Sequence, residues 1–143
     1  MKEIILGIWL GIQGVMDFKY KEIPLWFTLL GGVVGIVICV REERTVFEVL
    51  VSCLPGLVVI FFSWMTKEII GYGDGIVLLV MGFYLSLSQV LSVGMFAVFI
   101  AGIVALILLT VFQKKGSYRI PFIPFLTLAY GIDYLIRIGE NMR

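Results

Sequence analysis

The sequence predicts an all-α integral membrane protein, a polytopic bundle of about six transmembrane helices. Its 143 residues are 61% hydrophobic and 15% charged, and the mean hydropathy is +1.10. Soluble domains average about 45–50% apolar and about 25% charged residues, so both values depart in the direction of lipid. Long apolar runs also recur between short polar breaks. We expect residues 1–143 to form one transmembrane domain, because nothing marks a second.

The first three spans follow from apolar runs and helix-boundary residues. The run Ile4–Met16 is short for a membrane crossing, so the first helix is expected to begin before it and to continue towards Tyr20. Pro24 suits an early position in a helix and predicts a second span that reaches Val40. Val46–Met65 is the third span.

The second half of the chain contains a longer apolar stretch. From Gly75 to Phe112 there is no charged residue, and this length is too great for one span. The polar cluster Ser86–Ser92 is the natural place to divide it in two. A polar loop at Gln113–Arg119 then precedes the last span, Ile120–Ile138.

The composition excludes several kinds of site. The chain has no His, which excludes a His-ligated metal and a His general base. Cys39 and Cys53 lie within apolar runs and are expected to be small buried hydrophobic residues. We predict no disulfide, no metal and no cofactor. The net charge of +1 argues against a nucleic-acid partner, which requires a concentrated basic surface. The partner that the composition does predict is the lipid bilayer.

Two acidic residues stand at the edges of apolar runs. Asp17 ends the first run, and Asp74 closes a Gly-Tyr-Gly-Asp motif just before another. A carboxylate at a membrane boundary is energetically costly and therefore indicates a functional site. Two predicted spans separate the two residues, and an even number of crossings returns the chain to the same side. Both carboxylates are therefore expected on one side of the membrane, where they can meet.

The basic residues indicate which side this is. The loops on the Asp17 side carry six: Lys19, Lys21, Lys67, Lys114, Lys115 and Arg119. The other side carries five: Lys2, Arg41, Arg44, Arg137 and Arg143. The positive-inside rule slightly favours the cytoplasmic face of the inner membrane for both acids.

Two carboxylates held close together share one proton, so that one is ionised and the other protonated. The ionised partner draws a proton from water and the protonated partner polarises a carbonyl, which is the chemistry of aspartic proteases. Gly71 and Gly73 are expected to adopt backbone angles closed to other residues and to let an extended peptide approach Asp74. The motif is also compatible with a simple interhelical turn that ends in a helix-capping Asp.

Three segments together resemble the prepilin leader peptidase family, the membrane-embedded aspartic proteases of the Gly-x-Gly-Asp type. The first, Asp17–Leu29, has the family's Asp, six residues, then Pro followed by an aromatic residue and Thr-Leu. The second, Gly71–Gly82, has Gly-x-Gly-Asp, a Leu-Leu pair and a following Gly. The third, Arg119–Leu126, contains Ile-Pro-Phe-x-Pro-Phe-Leu. Their order and spacing agree with the family.

The resemblance implies that Asp17 and Asp74 form the catalytic pair of an aspartic endopeptidase. The implied substrate is a prepilin or pseudopilin precursor, whose short basic leader is removed at the cytoplasmic membrane boundary, after a Gly and before a hydrophobic helix. Six further residues are expected to position the substrate or its motifs: Gly71, Gly73, Pro24, Pro121, Pro124 and Lys21. Pro121 and Pro124 either shape a substrate groove or bend the start of the last helix. Methylation of the new N-terminus, which larger members perform through an additional domain, is not predicted.

One position departs from the family pattern, which often has Lys two residues after the second Asp. Here that residue is Ile76, and Lys67 or Lys21 is expected to compensate. The remaining acid within a span, Asp133, stands four residues before Arg137, which predicts an ion pair along one helix face.

Two alternative functions stay open. Presenilin-like and signal-peptide-peptidase-like proteases share Gly-x-Gly-Asp, but they carry a Pro-Ala-Leu element where this chain has Ile-Pro-Phe-Ile-Pro-Phe. A cation or proton carrier could also use two carboxylates. Carriers place such groups near the midplane, often between internal repeats, whereas here both acids lie at the ends of spans and no repeat is evident.

Overall fold

The computed structural model describes residues 1–67, 71–112 and 120–143. These residues form six α-helices and no strand, which confirms the predicted all-α class and the number of helices. The helices are α1 Lys2–Tyr20, α2 Leu25–Arg41, α3 Val46–Met65, α4 Tyr72–Tyr84, α5 Leu87–Thr110 and α6 Ile123–Asn141. The predicted loop at Gln113–Arg119, with its basic residues, lies outside the described residues.

Local capping signals account for the helix boundaries that were predicted correctly. α3 has the predicted bounds and begins with a capping box: Thr45 Oγ1 accepts from the Glu48 N–H, and Glu48 Oε2 accepts from the Thr45 N–H. The predicted division of the long apolar stretch is also confirmed. α4 ends at Tyr84, and Ser86 starts α5 with a capping box of its own to Gln89.

Two helix starts differ from the prediction, both near proline. Pro24 is not an early helical residue but the N-cap of α2, with an extended backbone (φ −70°, ψ 108°). α6 begins at Ile123 rather than Ile120, and Pro124 lies in its first turn. A proline is tolerated there because the first N–H groups of a helix have no partner within the helix.

α4 is the central helix, and glycines allow its close approach to α3. It packs chiefly against α3 and α2, whereas α1 packs chiefly against α6 and only lightly against α2. A Cβ at Gly82 would lie 2.7 Å from the main-chain oxygen of Ser52, and a Cβ at Gly56 would collide with the backbone of Leu79. The tight contact between α3 and α4 therefore depends on the absence of side chains at these positions.

Polar contacts define the end of the bundle away from Asp17. Lys2 Nζ lies 2.7 Å from Glu42 Oε2, which joins the start of α1 to the end of α2. Arg137 of α6 lies 2.7 Å from Glu3 and 2.9 Å from Asp133. The predicted pair of Asp133 and Arg137 is thus confirmed. Because α1 begins at this end, Asp17 lies at the other.

Two of the described helices, α3 and α5, are long and apolar enough to cross a membrane by length and composition. α2 and α4 are apolar but shorter. Only 22% of the apolar window of α3 and 17% of that of α5 is buried inside the bundle. The core helix of a soluble protein would be mostly buried, so these fractions favour contact with lipid.

Candidate active site

Asp17 lies in the last turn of α1 and is only 6% exposed. Its Oδ2 accepts a hydrogen bond from the main-chain N–H of Ile123, at 3.1 Å. Ile123 is the first residue of α6, so this carboxylate satisfies one of the N–H groups that a helix start leaves without a partner. The N-terminal end of a helix carries partial positive charge and favours an anion. The Asp17 carboxylate is therefore placed where negative charge is stabilised.

Asp74 also lies at the start of a helix, in this case its own. It is the third residue of α4 and is partly buried. The N-cap of α4 is Gly71, and Asp74 occupies the third position of the first turn rather than the N-cap itself. The Asp74 carboxylate, like that of Asp17, lies next to the positive end of a helix dipole.

The glycines of the motif act through space rather than through unusual backbone angles. No described glycine has a positive φ, and Gly71 has φ −65° and ψ 131°, which any residue can adopt. The expectation that these glycines adopt angles closed to other residues was therefore wrong. Gly73 lies against Ile23, whose side-chain end would collide with a Cβ at that position. Because Ile23 belongs to the Asp17 motif, Gly73 allows the two motifs to touch.

Asp17 and Asp74 line the same cavity, which has a volume of about 1930 Å³. Its other walls come from the chain after α1, from α3 at Pro55 and Val59, from one face of α5, and from residues 120–122 before α6. Most of these side chains are apolar. Residues 57 positions apart in sequence thus reach one site, as the even number of predicted crossings required.

The cavity runs along α5 and extends in both directions from the height of Asp74. Leu78 faces Gly94, where a Cβ would lie 3.9 Å from Leu78 Cδ2. α4 and α5 are antiparallel, so Asp74, one turn before Leu78, is level with about Val98. The cavity extends from there to Ser88 in one direction and to Ala105 in the other. A polypeptide lying in it would pass the carboxylates instead of ending at them.

The structure separates the remaining predicted site residues into two groups. Lys21 and Pro121 line the cavity. Lys21 ends α1 in the left-handed conformation (φ 54°), and its N–H donates to the Asp17 main-chain oxygen at 2.8 Å. Pro24 and Pro124 are not among the lining residues, and Lys67 is exposed outside the cavity. Of the two lysines expected to compensate for Ile76, only Lys21 lines the cavity.

Sequence reasoning missed two features of the site. One is the cavity face of α5, which carries small residues such as Gly94, Gly102 and Ala105. The spacing of these small residues, three to eight positions, could have indicated that they share one face of the helix. The other is Gln13, one turn before Asp17, which is fully buried although it is polar. A glutamine inside an apolar run was visible in the sequence, but its partner was not.

Comparison with known protein families identifies the class of protein. The profile of the Type IV leader peptidase family matches residues 4–110, which is most of the chain and includes both Asp17 and Asp74. The chain belongs to this family, and the resemblance seen in its motifs is confirmed. Membership makes it a protease of the leader peptidase type. The match ends before the third motif segment, Arg119–Leu126.

Searches of the curated proteins and of the solved structures gave no match for this chain.

Proposed function

We propose that the protein is a membrane-embedded aspartic endopeptidase that cleaves the basic leader from type IV pilin-like precursors. Asp17 and Asp74 are its catalytic residues. The ionised carboxylate takes a proton from water, and the resulting nucleophile attacks the scissile carbonyl. The protonated carboxyl group donates to the carbonyl oxygen, and the leaving amine receives a proton as the intermediate collapses. Leader and mature segment are released as two chains.

The observation that carries this proposal is the shared cavity of Asp17 and Asp74. Family membership supplies the class of reaction, and these are the carboxylates that its motifs select. The Asp17 side chain accepts from the first residue of α6, and Asp74 lies in the first turn of α4, so each carboxylate is next to a helix start whose dipole favours negative charge. The two acids can therefore hold the single negative charge that a shared-proton pair requires.

The size of the cavity supports a helical substrate. Pockets for small ligands measure roughly 300–1000 Å³, well below the 1930 Å³ found here. An α-helix about 10 Å across and about 25 Å long fills on the order of 2000 Å³. The cavity face of α5 from Ser88 to Ala105 has about this length and is largely apolar. The precursor lies along this face with its scissile bond between the carboxylates, its hydrophobic helix towards Ser88 and its leader towards Ala105.

The proposed setting is the cytoplasmic membrane, with several spans and the carboxylates towards the cytoplasm. The outward faces of the helices carry exposed apolar side chains, including Val33, Phe47, Trp64 and Met95, which a lipid environment accommodates. At the far end, Lys2 and Arg137 are paired with acids. Lys19 and Lys21 near the carboxylates add to the basic loop residues and favour the cytoplasmic side.

Replacement of each catalytic carboxylate tests the activity. Asp17→Asn and Asp74→Asn should each abolish cleavage of a co-expressed precursor that carries a basic leader, a Gly and an apolar helix. Asp133→Asn is the matched control, because Asp133 is an intrahelical ion-pair partner near the other end of the bundle. Mass spectrometry of the precursor gives the result. Cleavage that persists in both single variants, at equal membrane levels, would refute the proposal.

Topology is tested separately by labelling engineered cysteines from each side of the membrane. In a background of Cys39→Ala and Cys53→Ala, a Lys19→Cys variant reports the carboxylate end and a Met142→Cys variant the opposite end. The proposal expects an impermeant reagent added outside intact cells to leave Lys19→Cys unlabelled and to label Met142→Cys. The reverse pattern would place the site outside the cytoplasm.

A further inference from the structure

Gln13 is a buried polar residue beside the catalytic carboxylate. It lies one turn before Asp17 on α1 and is 0% exposed. Its Nε2 donates to Thr28 Oγ1 at 2.8 Å, whereas Oε1 has no hydrogen-bond partner among the residues that the structure describes. A buried amide oxygen without a partner costs about 1–3 kcal/mol of stability. A leucine of similar size would avoid this cost, so stability does not explain the glutamine.

Thr28 continues the contact to the chain that follows Asp17. It is 1% exposed, and its Oγ1 donates to the main-chain oxygen of Pro24 at 3.1 Å. Since the hydroxyl proton is used on Pro24, the hydroxyl oxygen must accept from Gln13. The orientation of the amide follows from this, and the three groups form one chain of hydrogen bonds from α1 to Pro24.

The chain of hydrogen bonds holds the segment 21–24, whose first three residues form one wall of the cavity. Lys21, Glu22 and Ile23 all line that wall, and Pro24 ends the segment as the N-cap of α2. α1 and α2 otherwise pack only lightly against each other. The position of Asp17 relative to α2 therefore depends on few contacts. A further one is the hydrogen bond from Trp9 Nε1 to the Phe27 oxygen, at 3.2 Å.

We propose that Gln13 and Thr28 are positioning residues for the cleavage reaction. They hold the segment between Asp17 and Pro24 in the geometry that catalysis needs, at a cost in stability. The inference rests on the proposed function. It assigns a role to two residues outside the carboxylate pair, neither of which lines the cavity. A misplacement of about 1 Å near a reacting centre can cost on the order of 100-fold in rate, so a short hydrogen-bond chain suffices for such a role.

Three variants test the inference: Gln13→Leu, Thr28→Val and Thr28→Ser. Gln13→Leu removes the unpartnered oxygen and should leave the melting temperature in detergent unchanged or higher, while kcat falls on the order of 10-fold. Thr28→Val keeps the shape and should also lower kcat on the order of 10-fold, with KM nearly constant. Thr28→Ser restores the hydroxyl and should recover kcat.

Thr110→Val is the matched control. Thr110 donates to the Leu106 oxygen four residues earlier at 2.7 Å, as Thr28 does to Pro24, but it has no part in the cavity wall. Unchanged kcat in Gln13→Leu and Thr28→Val would overturn the inference. So would a Gln13→Leu variant that loses kcat and melting temperature in parallel, or a Thr28→Ser variant as slow as Thr28→Val. A wild-type protein that leaves the precursor uncut would instead contradict the proposed function.

Discussion

The main-chain N–H of Ile123 donates a hydrogen bond to Oδ2 of Asp17 across 106 positions of the chain. This hydrogen bond joins the last turn of α1 to the first residue of α6 through one carboxylate oxygen of the proposed catalytic pair. The described part of the third motif segment, residues 120–126, is thus tied directly to the Asp17–Leu29 segment. Pro124 lies in the first turn of α6, where it presents no N–H that would need a partner.

Asp17 should therefore contribute to stability as well as to catalysis. Asp17→Ala leaves the Ile123 N–H without its acceptor and should lower the free energy of unfolding by about 1 kcal/mol, as loss of a helix cap does. Asp17→Asn keeps an oxygen acceptor and should lose less stability, although both variants are expected to be inactive. Thermal unfolding in detergent measures the difference. Equal melting temperatures for the two variants would contradict a capping role of this side chain.

The contact between Gly73 and Ile23 predicts a specific pair of compensating substitutions. Gly73→Ala should lower kcat on the order of 10-fold, because the added methyl group displaces the Ile23 side chain and with it the Asp17 segment. Ile23→Val removes the Cδ1 atom that the new methyl group meets. The double variant should recover most of the rate, as kinetics on the four proteins will measure. Losses that simply add would show that the two residues do not act through each other.

The cavity face of α5 predicts where added bulk blocks the substrate. Gly102 lines the cavity, and a Cβ there has no neighbour within 4 Å in the described part of the chain. Gly102→Leu should fold normally, since leucine favours helix more than glycine by up to about 1 kcal/mol. It should raise KM for the precursor on the order of 10-fold by occupying space that the substrate needs.

Gly131→Leu is the control for this substitution. Gly131 lies in α6, has equally open space around it and does not line the cavity. Its KM should match that of the wild type. Identical kinetics of the two leucine variants would mean that the substrate does not lie along α5.

Arg44 anchors the end of α4 opposite Asp74. Its guanidinium donates to the main-chain oxygens of Gly82, Phe83 and Leu85 and to Ser52 Oγ, at 3.0–3.2 Å. The last carbonyls of a helix lack partners within the helix, and a cation there also suits the helix dipole.

Loss of this anchor should be costly. Arg44→Lys cannot reproduce the planar set of donors and should lower the free energy of unfolding by about 1.5–3 kcal/mol. The exposed Arg41 provides the control Arg41→Lys, which should unfold at the wild-type temperature. The role assigned to Arg44 fails if thermal unfolding shows the same midpoint for both variants.

Much of the fold could be predicted because its signals are local. The bounds of α3 and the break before α5 are set by capping residues such as Thr45 and Ser86, which act within one turn. The ion pair of Asp133 with Arg137 follows from helical spacing alone. The return of Asp17 and Asp74 to one end required only a count of spans.

The sequence alone determined the helices and their order, because apolar runs and caps act over a few neighbouring residues. It also singled out the two carboxylates as candidate site residues. Only the tertiary structure decided that Gly73 makes room for Ile23, and that Gln13 finds Thr28. It also placed the Ile123 N–H on Asp17. These contacts join residues from separate helices or segments, and they exist only once packing has fixed the distances between those segments.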